Sequence, residues 1–89
     1  MRRRIEFERS AERELETLGD DAAKRILRYM RERIARYYDP RSAGDALKGD
    51  RLGRFWKYRV GDYRLVAHID RSTVRILVVR AGHWREMHR

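Results

Sequence analysis

The chain has 89 residues, with 23 Lys+Arg against 14 Asp+Glu for a formal charge of +9, one Pro and no Cys. That length suits one domain over residues 1–89, and 42% hydrophobic residues can supply a core, which excludes wholesale disorder. The lack of cysteine excludes a disulfide framework and thiolate metal sites, and the longest apolar run, Ile76 to Val79, is far too short to span a membrane. Arg2, Arg3 and Arg4 are not followed by the hydrophobic stretch of a signal peptide, so a soluble, cytoplasmic, basic domain is expected.

Residues 2–8 alternate, with Ile5 and Phe7 between charged neighbours, as in a half-buried strand. Ser10 is the expected N-cap of a first helix carrying Glu12 and Glu14 near its positive end, an apolar stripe of Ala11, Leu15 and Leu18, and a stop at Gly19. A second helix, capped by Asp20 or Asp21, follows with Ala23, Ile26, Leu27, Met30, Ile34 and Tyr37 at helical spacing. Asp39-Pro40 ends it, because the residue before proline is driven out of the α region. Two helices joined by two or three residues pack as a hairpin.

From Pro40 to Arg54 the glycines Gly44, Gly49 and Gly53 among polar residues indicate a loop. The period then changes to two. Residues 54–60 place Trp56, Tyr58 and Val60 on one face, with Phe55, Lys57 and Arg59 on the other. Gly61-Asp62 turns the chain into residues 63–69, where Tyr63, Leu65, Ala67 and Ile69 alternate with Arg64, Val66 and His68. Residues 70–72 turn again, and residues 73–80 are apolar on both faces, as an inner strand requires. The expected fold is α+β, in the order β-α-α-β-β-β. The N-terminal strand joins a four-stranded, mainly antiparallel sheet, and the helical hairpin packs on one face of it.

The charge is unevenly placed. Residues 46–89 hold 11 Lys+Arg and 4 Asp+Glu, a net of +7, a positive field that attracts polyanions. Arginine dominates, with only Lys24, Lys48 and Lys57 as lysines, and the guanidinium fork suits phosphate. If Trp56, Tyr58, Val60, Leu65, Ala67 and Ile69 bury against the helices, Lys57, Arg59 and Arg64 share the opposite face. Like charges on neighbouring strands repel, so their convergence calls for a ligand. Phe55, Val66 and His68 lie beside them, and cations interleaved with rings are how single-stranded RNA is held. The three histidines, His68, His83 and His88, lack metal-ligand spacing and a carboxylate cluster, so no metal is expected; His83 and His88 are candidates for proton transfer.

Asp39-Pro40-Arg41, Leu47-Lys48-Gly49, the run Trp56-Lys57-Tyr58-Arg59-Val60-Gly61-Asp62-Tyr63-Arg64-Leu65-Val66 and the final Gly82-His83 together resemble the RelE/ParE toxin superfamily. The resemblance spans essentially the whole chain. It implies the microbial RNase-like RelE fold, a type II toxin–antitoxin role with a cognate acidic antitoxin, and no cofactor. A RelE-like member enters the ribosomal decoding site and cuts mRNA without metal, the ribose 2′-OH attacking the adjacent phosphate. A ParE-like member poisons DNA gyrase instead and cuts no RNA.

The resemblance also implies roles. Lys57 matches a catalytic lysine and is the candidate base; Arg59 matches a second basic position; Arg64 matches a phosphate-clamping arginine; and Lys48 matches a basic residue in the Leu-basic-Gly loop. Arginine gives up a proton with difficulty, so Arg59 and Arg64 read as electrostatic clamps. Many members end Gly-His-Arg-x-x-Val-Tyr, whereas this chain ends Gly82-His83-Trp84-Arg85-Glu86-Met87-His88-Arg89. Trp84 replaces the arginine, Arg85 follows one place later, and His88 replaces the tyrosine. Trp84 and Arg85 are therefore RNA-binding candidates, with Trp84 as a stacking surface.

Overall fold

Among the described residues a strand, two helices and four further strands follow one another. The structure, a computed structural model, describes residues 3–36, 39–47, 55–69 and 75–87. Its elements are β1 (Arg4–Phe7), α1 (Arg9–Leu18), α2 (Asp20–Tyr29), β2 (Asp45–Ala46), β3 (Phe55–Val60), β4 (Tyr63–Ile69) and β5 (Arg75–His83). The sheet runs β1-β5-β4-β3-β2, with β1 parallel to β5 and every other pair antiparallel. The expected inner strand is thus β5, between β1 and β4. The expected four strands become five by the addition of β2.

β2 lies in the stretch expected as loop, and the reason is local. Asp39 accepts a hydrogen bond from the Arg41 backbone N–H at 3.0 Å and takes the Arg41 guanidinium on both oxygens at 3.0 and 3.1 Å. Those bonds hold its carboxyl below the usual carboxylate range. Pro40, buried, opens a 3₁₀ turn over Pro40–Ala43, and its carbonyl accepts from the Tyr58 hydroxyl at 2.7 Å. At Gly44 a Cβ would stand 2.8 Å from Tyr58 Cε1 and 3.0 Å from the Lys57 carbonyl oxygen, so only glycine lets this backbone close on β3. Asp45 and Ala46 then pair with Lys57 and Trp56. The Asp39-Pro40-Arg41 motif is therefore a fastening for the edge of the sheet.

The helix starts differ from those expected. Glu8, not Ser10, is the N-cap of α1, and it caps through no side chain. Its N–H is still bonded to Val78 O at 2.9 Å, so sheet pairing extends to Glu8 and the helix begins at once. Gly19 alone joins α1 to α2, in place of two or three residues; its φ of 98° makes the reversal. Asp20 and Asp21 lie inside the first turn of α2, where their charge meets the helix dipole without capping it. α2 widens into a π turn over Met30–Ile34, which leaves Met30, Ile34 and Ala35 all buried. Tyr37 lies outside the described residues.

The core forms where the helices meet one face of the sheet. Ala11, Leu15, Ile26, Met30 and Ile34 pack on Tyr58, Val60, Leu65, Ala67, Ile69, Ile76, Val78 and Ala81. β5 outruns β1, and α1 covers the edge left open: Glu14 accepts from the Ala81 N–H at 2.9 Å while its other oxygen meets Arg80 at 3.3 Å. Among the described residues, no helix is long and apolar enough to cross a membrane.

Candidate functional site

Strand alternation and register put the candidate cations in rows on the sheet face turned away from the helices. Arg59 stands directly opposite Arg64, and Arg64 opposite Gly82 of β5. In the next row Lys57 stands between Asp45 on β2 and Val66 on β4, with Arg80 beyond. The third row is Phe55, His68, Leu77 and, on β1, Glu6. The expected grouping of Lys57, Arg59 and Arg64 is present. Arg64 folds over the hairpin turn, donating from Nη1 to Gly61 O and Tyr63 O, both at 2.9 Å. The Gly61 and Tyr63 carbonyls thereby satisfy one end of the guanidinium and hold it at the hairpin turn.

Asp45 was not legible as part of this face, because a two-residue strand carries too little pattern to be seen. Its register places a carboxylate across from Lys57, compensating charge at the edge of the cationic rows. At the far edge Arg75 holds Glu6 at 2.9 Å, with Arg4 at 3.7 Å.

His83 is on the other side. A β-bulge between the Val66 and Ala67 pairings makes two residues of β5 pass where one would do. Val78 and Ala81 both face the core as a result, and His83 follows Ala81 onto the helix side. Its ring meets Tyr63 edge-on at 6.2 Å, and Nδ1 accepts from the Arg85 N–H at 3.2 Å, which places the neutral ring's proton on Nε2. The structure thus separates His83 from the face that carries Lys57, Arg59 and Arg64.

The residues after β5 fold back over its end. Trp84 N–H donates to Asp62 O at 2.8 Å, tying this turn to the β3–β4 hairpin. Trp84 is 42% exposed, its ring tilted 33° against that of His83 with centres 5.8 Å apart, and the Arg85 guanidinium is 5.5 Å from its ring centre. Met87 is buried over Gly82, whose missing Cβ would stand 2.8 Å from Met87 Cγ. Met87 therefore reaches the face that carries Arg64. Lys48 and His88 lie outside the described residues.

A cavity opens between β1 and α2. This cavity of about 710 Å³ has Ile5, Phe7 and Leu27 among its lining, with Lys24, Arg28 and Arg31 bringing positive charge.

A sequence model for the ParE toxin of type II toxin–antitoxin systems, parDE, matches residues 5–87. The chain belongs to the RelE/ParE toxin superfamily. It is the toxin of a type II toxin–antitoxin system, and its two helices on a mixed five-stranded sheet are the superfamily's α+β architecture. A chain of the RelBE2 toxin–antitoxin complex from Mycobacterium tuberculosis superposes with a TM-score of 0.82 at 23% identity, over 93% of this toxin and 99% of that chain. A chain of the intact E. coli RelBE complex gives 0.70 at 23%, over 91% and 95%. The YoeB/ParE toxin from Agrobacterium tumefaciens gives 0.67 at 18%, over 90% and 96%. At these identities the likeness is one of fold. No curated protein is significantly similar in sequence.

Proposed function

We propose that this toxin is a RelE-like, ribosome-dependent endoribonuclease that inhibits translation by cutting mRNA in the decoding site. The supporting observation is the gathering of Lys57, Arg59 and Arg64 on an open sheet face, with Arg59 and Arg64 in direct register. Packing does not require two arginines face to face; a phosphate between them removes their repulsion.

In this reading Lys57 is the candidate base that takes the proton of the ribose 2′-OH. The 2′-oxygen forms a bond to the adjacent phosphorus and the bond from phosphorus to the 5′-oxygen breaks. The products are a 2′,3′-cyclic phosphate and a 5′-OH, the leaving oxygen receiving a proton. Arg59 and Arg64 stabilise the charge on the pentacoordinate phosphorus. His88, beyond Met87, is the candidate donor of that last proton, and Lys48 a further RNA contact. Trp84 with Arg85 gives a base a place to stack. His83, turned to the helix side, acts as the support of Trp84 and Arg85 rather than on the phosphate. Residues 1–89 act as one domain in the cytoplasm.

The partner is an acidic antitoxin. RelBE2 and RelBE are toxin–antitoxin complexes, and the cavity between β1 and α2, which sets Ile5, Phe7 and Leu27 among cations, suits an acidic amphipathic segment. Primer extension on mRNA from cells expressing the toxin tests the activity. Cuts within translated codons are expected, and they vanish in the Lys57→Ala/Arg64→Ala variant. Intact mRNA together with inhibited supercoiling by gyrase would replace this reading with the ParE-like one.

A further inference from the structure

We infer that the row Phe55–His68–Leu77 is a nucleobase subsite adjoining the cationic rows, so that the open face binds a base as well as phosphates. The inference rests on the RNA reading above and adds to it a site of its own. Phe55 and His68 are register partners on β3 and β4, and Leu77 is the partner of His68 on β5. All three are half-buried on the face that the helices leave uncovered. The Phe55 and His68 rings meet at 5.5 Å with 61° between their planes, an edge-on pair of two partly exposed residues.

The spacing gives the row its place along a nucleic acid strand. Same-face residues on a strand are two apart, so successive rows are separated by about 7 Å. From Arg59–Arg64 through Lys57–Val66 to Phe55–His68, the face passes from two cations, to one cation beside an apolar side chain, to rings. A chain held by its phosphate at the first row and running along β3 brings an unpaired base over the third. Stacking on Phe55 needs only a π-face, while the imidazole of His68 can also meet a base edge. An aromatic row serving only the fold would turn to the helix side, where Tyr58 and Trp56 already pack. A row made only for anions would continue the cations. Leu77 closes the row with an apolar contact, and beyond it Glu6 is neutralised by Arg75.

The test is binding of the full chain to a fluorescent hexaribonucleotide and, separately, to inorganic polyphosphate of equal charge. Phe55→Ala is expected to weaken the hexaribonucleotide by roughly 5- to 100-fold and to leave polyphosphate unchanged. Lys57→Ala weakens both. Phe55→Leu, which keeps apolar bulk on the strand, falls between wild type and Phe55→Ala, and His68→Ala reports on the row if Phe55→Ala fails to fold. Wild-type affinity for the hexaribonucleotide in both the Phe55→Leu and His68→Ala variants would overturn the subsite while leaving the RNA reading intact. So would equal losses for RNA and polyphosphate. A wild-type chain that binds polyphosphate but no RNA overturns the RNA reading itself.

Discussion

On the helix side of β3 and β4 the residues Tyr58, Val60, Leu65, Ala67 and Ile69 are all buried. Between them, on the other side of the same two strands, stand Lys57, Arg59, Arg64, Val66 and His68, none of them buried. The pleat separates the two sets with no further device. One face is held by contacts that the chain itself supplies, while the other assembles like charges that the fold alone would disfavour. Stability and ligand binding can therefore be damaged independently, and substitutions on each face distinguish them.

The largest expected effect is on the closed face. Leu65→Ala removes a fully buried side chain facing Ala81 and costs about 2–5 kcal/mol. In a chain this small that lowers the melting temperature by roughly 10 °C or more, measurable by circular dichroism. At the end of the open face, Gly82→Ala drives a methyl into Met87 and costs about 1–3 kcal/mol as the C-terminal turn shifts. Trp84 fluorescence reports the displacement.

Tyr58→Phe leaves the Pro40 carbonyl without its buried donor, for about 1–2 kcal/mol. Burial raises the Tyr58 hydroxyl above its ordinary value of about 10. The fold holds the neutral phenol, so this contribution is complete below about pH 10 and is lost as pH rises beyond it toward the raised folded value. Alkaline melting curves should show that loss in the wild type and less of it in Tyr58→Phe. The smallest effect is Asp45→Asn, which removes the carboxylate opposite Lys57. Hexaribonucleotide binding at low salt should tighten by about two- to threefold, with melting temperature unchanged.

Much of this division is visible in the sequence. The alternation of Trp56 to Val60 and of Tyr63 to Ile69, with Gly61 between them, defines both faces because every second residue is apolar. The long-range features are not visible there. The parallel pairing of β1 with β5 joins the two ends of the chain and leaves no local signature. β2 depends on Gly44 fitting against Tyr58, a contact across the fold. The start of α1 at Arg9 is fixed by the bond from Glu8 to Val78, which overrides the local preference for Ser10. His83 is the most instructive case. Simple alternation from Ile76 would place it on the face of Arg64, and one bulge in β5 sends it to the helix side. A one-residue irregularity is silent in an apolar run, yet it decides which face of the sheet His83 joins.

Two double variants with equal loss of charge test the central claim most directly. Lys57→Ala/Arg64→Ala strips the open face, and Lys24→Ala/Arg28→Ala takes the same two charge types from the exposed side of α2. Growth arrest in cells lacking antitoxin is the readout, with melting temperature as the control. Arrest should disappear in the first variant and persist in the second, with both chains folded. Equal toxicity of the two would mean that the open sheet face is not where this toxin acts.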